Sequence, residues 1–335
     1  MSQAPRNILI IRFSSIGDIV LTTPVIRSLK EALPNCQIHF LTKAPYADLL
    51  RYNPHISQLH LLGKDWASTM QGLKEANIDA ILDLHGNLRS LRVKAALRVS
   101  SSTFDKKNWA KYWMVRTAGY PDKPLPHIVQ RYGDTLHKLG LTLDDKGLEI
   151  HYPASLDDWA TRQLASINQQ QDCLAVVLGA KFATKRWLPA YFLETLHRLQ
   201  RPVLLIGGSD AIEERDFLMA SLSVPVFDAV NKFSLLESAA LLNQTQEVLT
   251  HDTGFMHIAA ALGKKTYSLW GNTVPALGMT PYRTESVILE NKTLDCRPCS
   301  KIGFDKCPKG HFRCMTDLTP EIVLKSIRGN EGMGE

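Results

Sequence analysis

Short apolar runs alternate with stretches of helical period along most of the chain. The first half reads NILIIRF, a helical pattern closing at EALP, then QIHFLTK, SQLHLLG and DAILDLHG. Runs that stay apolar at consecutive positions suit strands covered on both faces, and their alternation with helices predicts a parallel sheet with crossover helices. A second series follows: CLAVVLGA, YFLETLHRLQ, PVLLIGG, DAIEERDFLMASL, PVFDAV, SLLESAALLNQ, EVLTHDT, GFMHIAAALG and KTYSLWG. It predicts a second Rossmann-like unit. The polar, turn-rich segment LTLDDKGLEIHYPASLDDW lies between the two series and places a domain boundary near residue 155, giving domains 1–155 and 156–335. The closing pattern TPEIVLKSIRG predicts a helix with Thr319 as N-cap and Pro320 at its first position.

The length of 335 residues agrees with two cores rather than one. Hydrophobic residues make up 44% and charged residues 21%, with no apolar run long enough to span a bilayer, which argues against a membrane-spanning chain. MSQAPRNILIIRFSSIGD lacks a cleavage pattern and reads as a first strand, not a signal peptide. Reduced cysteines in the cytoplasm are therefore expected. The formal charge of +6 is compatible with anionic small molecules or an anionic membrane surface, and with no recognisable module beside it nucleic-acid binding is not expected.

In open α/β sheets, ligands bind beyond the carboxyl ends of the strands, so residues just after strands carry the functional information. IIRFSSIGD delivers Asp18 to such a position, after a predicted strand and before a helix predicted to start with Thr23 as N-cap and Pro24 at its first position, with IGDIVLTT as a tight loop or short turn. EVLTHDTGFMHIAAALG places Asp252, Thr253 and Gly254 between a strand and a helix, which suits either an anion site or an ordinary N-cap. GAKFATKRWLPAYF adds Lys181, Lys185 and Arg186, and GGSDAIEER adds Glu213 and Glu214, candidates for phosphate and ribose contacts or for a solvated loop and a helix first turn. DLHGNLRSLRVKAALR offers His85, Asn87, Arg89 and Arg92 to an anionic group, with Arg89 and Arg92 on one helix face and Lys94 pointing elsewhere. KKNWAKYWMVRTAGY interleaves Trp109, Tyr112 and Trp113 with cations; it suits a membrane interface or an amphipathic helix, and core packing of the rings is the expectation. LDCRPCSKIGFDKCPKGHFRCM holds Cys296, Cys299, Cys307 and Cys314, with His311 as a competing ligand, a candidate structural zinc set that has no catalytic task.

The pairing of SSIGDIVLTTP with HDTGFMHIAAALG and YSLWGNTVP resembles glycosyltransferase family 9, the ADP-heptose:lipopolysaccharide heptosyltransferases, over nearly the whole chain. The KRW at Lys185–Trp187 and the cysteine segment with PKGH resemble it as well. The resemblance implies an α/β GT-B fold, two Rossmann-like domains facing each other across a cleft, and inverting transfer from ADP-heptose to an inner-core lipopolysaccharide acceptor without a required cofactor. It also implies a cytoplasmic enzyme peripheral at the inner face of the inner membrane. It assigns the base to Asp18, with Ser15 and Gly17 beside it on the acceptor side. Donor phosphate falls to Lys185, ribose to Glu213 or Glu214, and phosphates and sugar to Asp252, Thr253 and Gly254. His257 would line the same pocket. Asp252 is expected to cap the helix or bind sugar hydroxyls, since a carboxylate repels pyrophosphate. His127 is a further acceptor contact. A nucleotide-sugar epimerase and a noncatalytic sugar-nucleotide or glycan-binding protein are the competing readings.

Overall fold

The computed structural model describes residues 5–117, 123–144, 146–167 and 172–329. The chain divides into two compact units, Met1–Lys106 with Pro126–Pro153, and Lys107–Leu125 with Ala154–Glu335.

The first unit is built on a five-stranded parallel sheet: β1 (Asn7–Ile11), β2 (Gln37–Thr42), β3 (Gln58–Leu61), β4 (Ala80–Asp83) and β5 (Ser100–Thr103), in the order β3-β2-β1-β4-β5. Central β1 pairs Ile10 with Phe40 on one side and Leu82 on the other, and Ile8, Leu9, Ile10 and Ile11 are all fully buried. Each such side chain contributes about 1.5 to 3 kcal/mol by leaving water, which gives the loop after β1 a rigid origin. Winding reverses between β1 and β4, the place where an open α/β sheet leaves a crevice for ligand. The polar segment after residue 140 packs on this unit: Arg27 donates to both carboxylate oxygens of Asp144 at 2.6 and 2.9 Å and to Glu149 at 2.8 Å.

The second unit has six parallel strands: β6 (Leu174–Val177), β7 (Val203–Ile206), β8 (Val226–Asp228), β9 (Glu247–His251), β10 (Lys265–Trp270) and β11 (Ser286–Glu290), ordered β11-β10-β9-β6-β7-β8. Read from the other edge, this is the dinucleotide-fold order, with its reversal between β6 and β9. Its core gathers Leu174, Val176, Trp187, Phe192, Leu205, Leu249, Tyr267 and Leu269.

Three local expectations change. Two strands absent from the sequence reading are present, β5 (SSST), with no apolar run, and β11 (SVILE), with a short one; both are edge strands, which need only one covered face and one partner. IGDIV is a short helix, Ile16–Val20, and the next helix, Thr23–Ala32, takes Thr22 as N-cap with Pro24 at its second position. The hydroxyls of Thr22 and Thr23 donate to the carbonyls of Ile19 and Val20, so the two helices follow each other without a loop between them. Finally, the rings of the helix Asn108–Arg116 are not core: Trp109, Tyr112 and Trp113 are 78%, 53% and 56% exposed. Met114 supplies the packing instead, against Val274, Ala276 and Leu277, while the Leu125 amide donates to the Ala276 carbonyl. Among the described residues no helix is long and apolar enough to cross a membrane.

Candidate functional site

The carboxyl end of β1 continues through Arg12 to the short helix that carries Asp18 at its third position. Three donors converge on Asp18 Oδ2: Arg12 Nη2 at 2.7 Å, Ser15 Oγ at 2.8 Å and the Ser15 amide at 3.2 Å. Burial by itself would raise this carboxyl, but the Arg12 charge and the Ser15 hydrogen bonds outweigh it and hold the pKa below the usual value. Asp18 is therefore ionised at neutral pH, yet 23% of its side chain still reaches solvent. Arg12 is fixed in turn by the carbonyls of Ser14 at 2.7 Å and Leu84 at 2.6 Å, which ties the β1 loop to the β4 loop. Tyr132 is wholly buried beside this pair, with the Arg12 guanidinium 5.7 Å from its ring centre, and burial keeps its phenol protonated.

Asp83, at the end of β4, organises the second loop of this unit. Its carboxylate accepts from the amides of His85 at 3.1 Å and Gly86 at 2.8 Å and from Ser90 Oγ at 2.8 Å, and pairs with Lys94 at 3.0 Å. Lys94 thus points away from Arg89 and Arg92, as their spacing predicts. Arg92 stacks on Trp66 at 4.6 Å, and Arg89 is exposed. His85 lies 4.7 Å from the Phe13 ring, and burial, then the Arg12 and Lys106 charges, push its pKa down to about 4. It is neutral near pH 7. Asn87 caps the helix Leu88–Leu97 by accepting from the amides of Arg89 and Ser90, and His127 caps Ile128–Gly133 through Nδ1, which accepts from the Val129 amide at 3.2 Å. Ser15 is exposed and Gly17 buried under it.

In the second unit the loops after β6 and β9 meet. Lys185 Nζ lies 2.6 Å from Asp252 Oδ2 and 3.2 Å from the Asp252 carbonyl, and Thr273 Oγ1 donates to the same Oδ2 at 2.8 Å. Asp252 does not cap the helix; its carboxylate is neutralised by Lys185. Thr253 occupies the N-cap position of Gly254–Ala261 without a side-chain cap bond, and its Oγ1 is buried with no hydrogen-bond partner among the described residues. His257 is buried one turn further along. Of the two glutamates only Glu214 turns inward: it accepts from the Gly179 amide at 2.8 Å and faces Arg186 at 3.7 Å, and burial raises its pKa. Glu213 is exposed. Lys181 lies over its neighbour Phe182 rather than in this cluster.

Residues 66–307 match the sequence profile of glycosyltransferase family 9 (heptosyltransferase). The chain belongs to this family. It is 26% identical to lipopolysaccharide heptosyltransferase 1 of Pseudomonas aeruginosa, over 97% of this chain and 94% of that protein. In structure it resembles a family 9 glycosyltransferase of Veillonella parvula (TM-score 0.81, 20% identity, 98% of each chain). It also resembles the E. coli ADP-heptose lipopolysaccharide heptosyltransferase II (TM-score 0.76, 19% identity, 96% of this chain and 97% of that one). Two Rossmann-like units in a glycosyltransferase of this family are the GT-B fold.

The glycosyltransferase builds its third loop, Gly271–Thr273 after β10, around a residue that the motif reading passed over. Arg297 is fully buried and donates to the carbonyls of Gly271 at 2.6 Å, Trp270 at 3.1 Å, Thr273 at 2.8 Å and Asn291, with Glu290 at 3.2 Å balancing its charge. Thr273 then reaches Asp252, so Arg297 supports the Lys185–Asp252 pair from behind. The same cysteine-rich segment grips the Lys185 loop: the Thr184 amide donates to the Phe304 carbonyl at 3.1 Å, and the Phe304 amide donates to Thr184 Oγ1 at 2.8 Å. A Cβ on Gly303, whose φ is +137°, would sit 2.6 Å from Phe182.

The candidate zinc set finds no support in the side-chain arrangement. Among the described residues no group of three or more His, Cys, Asp or Glu side chains stands so as to hold one ion. Cys296 Sγ lies 3.7 Å from His311 Nε2, while Cys314 is buried and burial, with the nearby thiols, pushes its pKa up to about 12.

Arg12, Asp83, Thr273 and Arg297 are the site-building residues that sequence reasoning missed. Asp83 carried a signal, a carboxylate inside the apolar run DAILDLHG. Arg297, one of two arginines in the cysteine-rich segment, carried none.

Proposed function

We propose that this protein transfers heptose from ADP-heptose to an inner-core lipopolysaccharide acceptor, with inversion at the sugar carbon and Asp18 as the base. One observation carries the reading: an ionised carboxylate fixed at the switch point of the first sheet by Arg12 and Ser15. The names of the similar proteins supply the sugar and acceptor class. Asp18 is a weak base in the resting protein, since its pKa lies low. That suffices, because the acceptor hydroxyl becomes strongly acidic as its oxygen bonds to the sugar carbon and the nucleotide departs. The proton then passes to the carboxylate. Ser15 and Gly17 shape the acceptor side of this loop, and His85, Arg89, Arg92 and His127 are the remaining acceptor contacts. His85 acts as a neutral hydrogen-bonding group, and Asn87 contributes by capping.

On the donor side, Lys185 meets the phosphates with Thr253 and the amide of Gly254. A ligand phosphate would share Lys185 with Asp252, whose carboxylate is already neutralised by Lys185 and so repels pyrophosphate less. Glu214, rather than Glu213, sits where a ribose hydroxyl could replace part of its Arg186 contact. His257 lines the pocket. No metal has a step in this transfer. The enzyme works in the cytoplasm, peripheral at the inner face of the inner membrane, because its acceptor is anchored in lipid.

The test is transfer from ADP-heptose to a core acceptor, with product mass and anomeric configuration read directly. Asp18→Asn keeps the shape but cannot take the proton, so turnover should fall roughly a hundredfold or more with donor affinity nearly unchanged and the protein still folded at the assay temperature, though melting lower because Arg12 loses its ion-pair partner. Turnover within a few fold of wild type would remove Asp18 as the base. Donor conversion without acceptor would favour the epimerase reading, and donor binding without turnover on any acceptor the noncatalytic one.

A further inference from the structure

We propose that the helix Asn108–Arg116 is a docking surface for anionic lipid, with Trp109, Tyr112 and Trp113 seated at the headgroup level. The proposal rests on the lipid-anchored acceptor of the proposed function and names the surface that would bring the enzyme to it. The three rings occupy positions i, i+3 and i+4 and so share one helix face. All three are exposed, by 78%, 53% and 56%, and they contact one another edge-on at 6.3 and 5.6 Å. Nothing in the fold of this unit needs them outside, since Met114 on the other side of the helix makes its packing contact. Clustered exposed rings are costly in water and mark a binding face. Tryptophan and tyrosine, with an apolar body and a polar edge, are the side chains that settle at a membrane interface.

Charge decides which partner fits. The helix carries Lys111 and Arg116 and no acid, and just before it Lys106 and Lys107 outnumber the exposed Asp105. Anionic headgroups complement that set. A second copy of this chain, docked face to face about a two-fold axis, would bring the same cations together and be disfavoured. The helix has nine residues, too few to span a bilayer, so it lies on the surface.

The test is co-sedimentation of the whole enzyme with phosphatidylglycerol-containing vesicles and with pure phosphatidylcholine vesicles. Binding to the anionic vesicles, weakened by salt, is expected. The triple variant Trp109→Ala, Tyr112→Ala, Trp113→Ala should bind at least about tenfold more weakly while melting at the wild-type temperature, since only exposed side chains are lost. Lys111→Glu with Arg116→Glu should abolish the preference for anionic vesicles. Turnover of the triple variant on a de-acylated, water-soluble acceptor should stay within about twofold of wild type, which separates docking from chemistry. Should wild-type enzyme show no transfer at all, the proposed activity fails while the vesicle result still decides the surface. Equal vesicle binding by wild type and triple variant overturns the proposal, as does equal binding to both kinds of vesicle. A wild-type dimer that the triple variant dissolves, without any vesicle binding, overturns it in favour of a second copy.

Discussion

His251 is neutral because its surroundings leave no other choice. It is fully buried at the end of β9, its Nε2 accepts from the Trp187 amide at 2.8 Å, and its Nδ1 lies 3.1 Å from the Gly179 carbonyl. The first contact requires an unprotonated Nε2. Burial therefore pushes the pKa from 6.5 down to about 4. The unfolded chain takes up this proton near pH 6.5 and the folded protein only near pH 4, so the contribution to stability is complete above pH 6.5 and is lost as pH falls toward 4. The loss amounts to roughly 3 kcal/mol. Denaturant unfolding at a series of pH values should show it, and His251→Gln should flatten that part of the profile. A profile equally steep in the variant would assign the acid sensitivity elsewhere. Asp18 behaves in the opposite sense: its lowered pKa adds stability above the usual carboxylate value, and that contribution is lost only as pH falls through its own lower one.

At the scale of elements, two loops of the second unit are tied down by a segment with hardly any regular structure. Residues 291–312 contain neither helix nor strand, yet Arg297 within them ties down the loop after β10 and Phe304 ties down the loop after β6. Arg297→Lys keeps a charge near Glu290 but replaces a rigid fork by one flexible point, so it cannot hold the carbonyls of Trp270, Gly271 and Thr273 at once. Donor KM should rise about tenfold or more with a smaller change in kcat, because the loops still form but no longer present Thr273 and Asp252 in register. Arg297→Ala removes the cation beside Glu290 and the donors of those buried carbonyls and should cost about 3 to 5 kcal/mol of stability. Unchanged donor KM in Arg297→Lys would mean that the segment is only a cover for the sheet edge.

At the scale of the whole molecule, each unit has its own sheet and its own core, so a ligand for one of them should stabilise that one. ADP at about a hundred times its dissociation constant should add roughly 2.7 kcal/mol to the unit that binds it. Lys185→Ala should weaken ADP binding by about 1 to 3 kcal/mol, the scale of a lost charge-assisted hydrogen bond. Part of that loss comes from the Asp252 carboxylate left bare, so Lys185→Ala with Asp252→Asn should bind better than Lys185→Ala alone. Calorimetric titration of the two variants tests both statements. Equal ADP affinity in wild type and Lys185→Ala would take Lys185 out of the donor site.

What the amino-acid sequence determined by itself is the architecture: short, β-branched apolar runs such as ILII and LAVV suit strands buried on both faces, and helices between them leave a parallel sheet as the solution. It also determined where chemistry belongs, because residues after central strands face the crevice whatever their partners. Partnership was decided by tertiary structure alone. Lys185 and Asp252 lie far apart in the chain and meet because β6 and β9 are neighbours in the sheet, an adjacency that no local pattern encodes. Arg12 meets Leu84 for the same reason, through β1 and β4, and is thereby held beside Asp18 on its own loop. Helical spacing put Trp109, Tyr112 and Trp113 on one face but left open whether that face looked in or out. Packing settled it, because the loop around Ala276 receives Met114 on the other side of the helix. Spacing offered four cysteines to a metal but did not show that their segment mounts Arg297, since a side chain's task depends on what the rest of the chain brings within hydrogen-bonding distance.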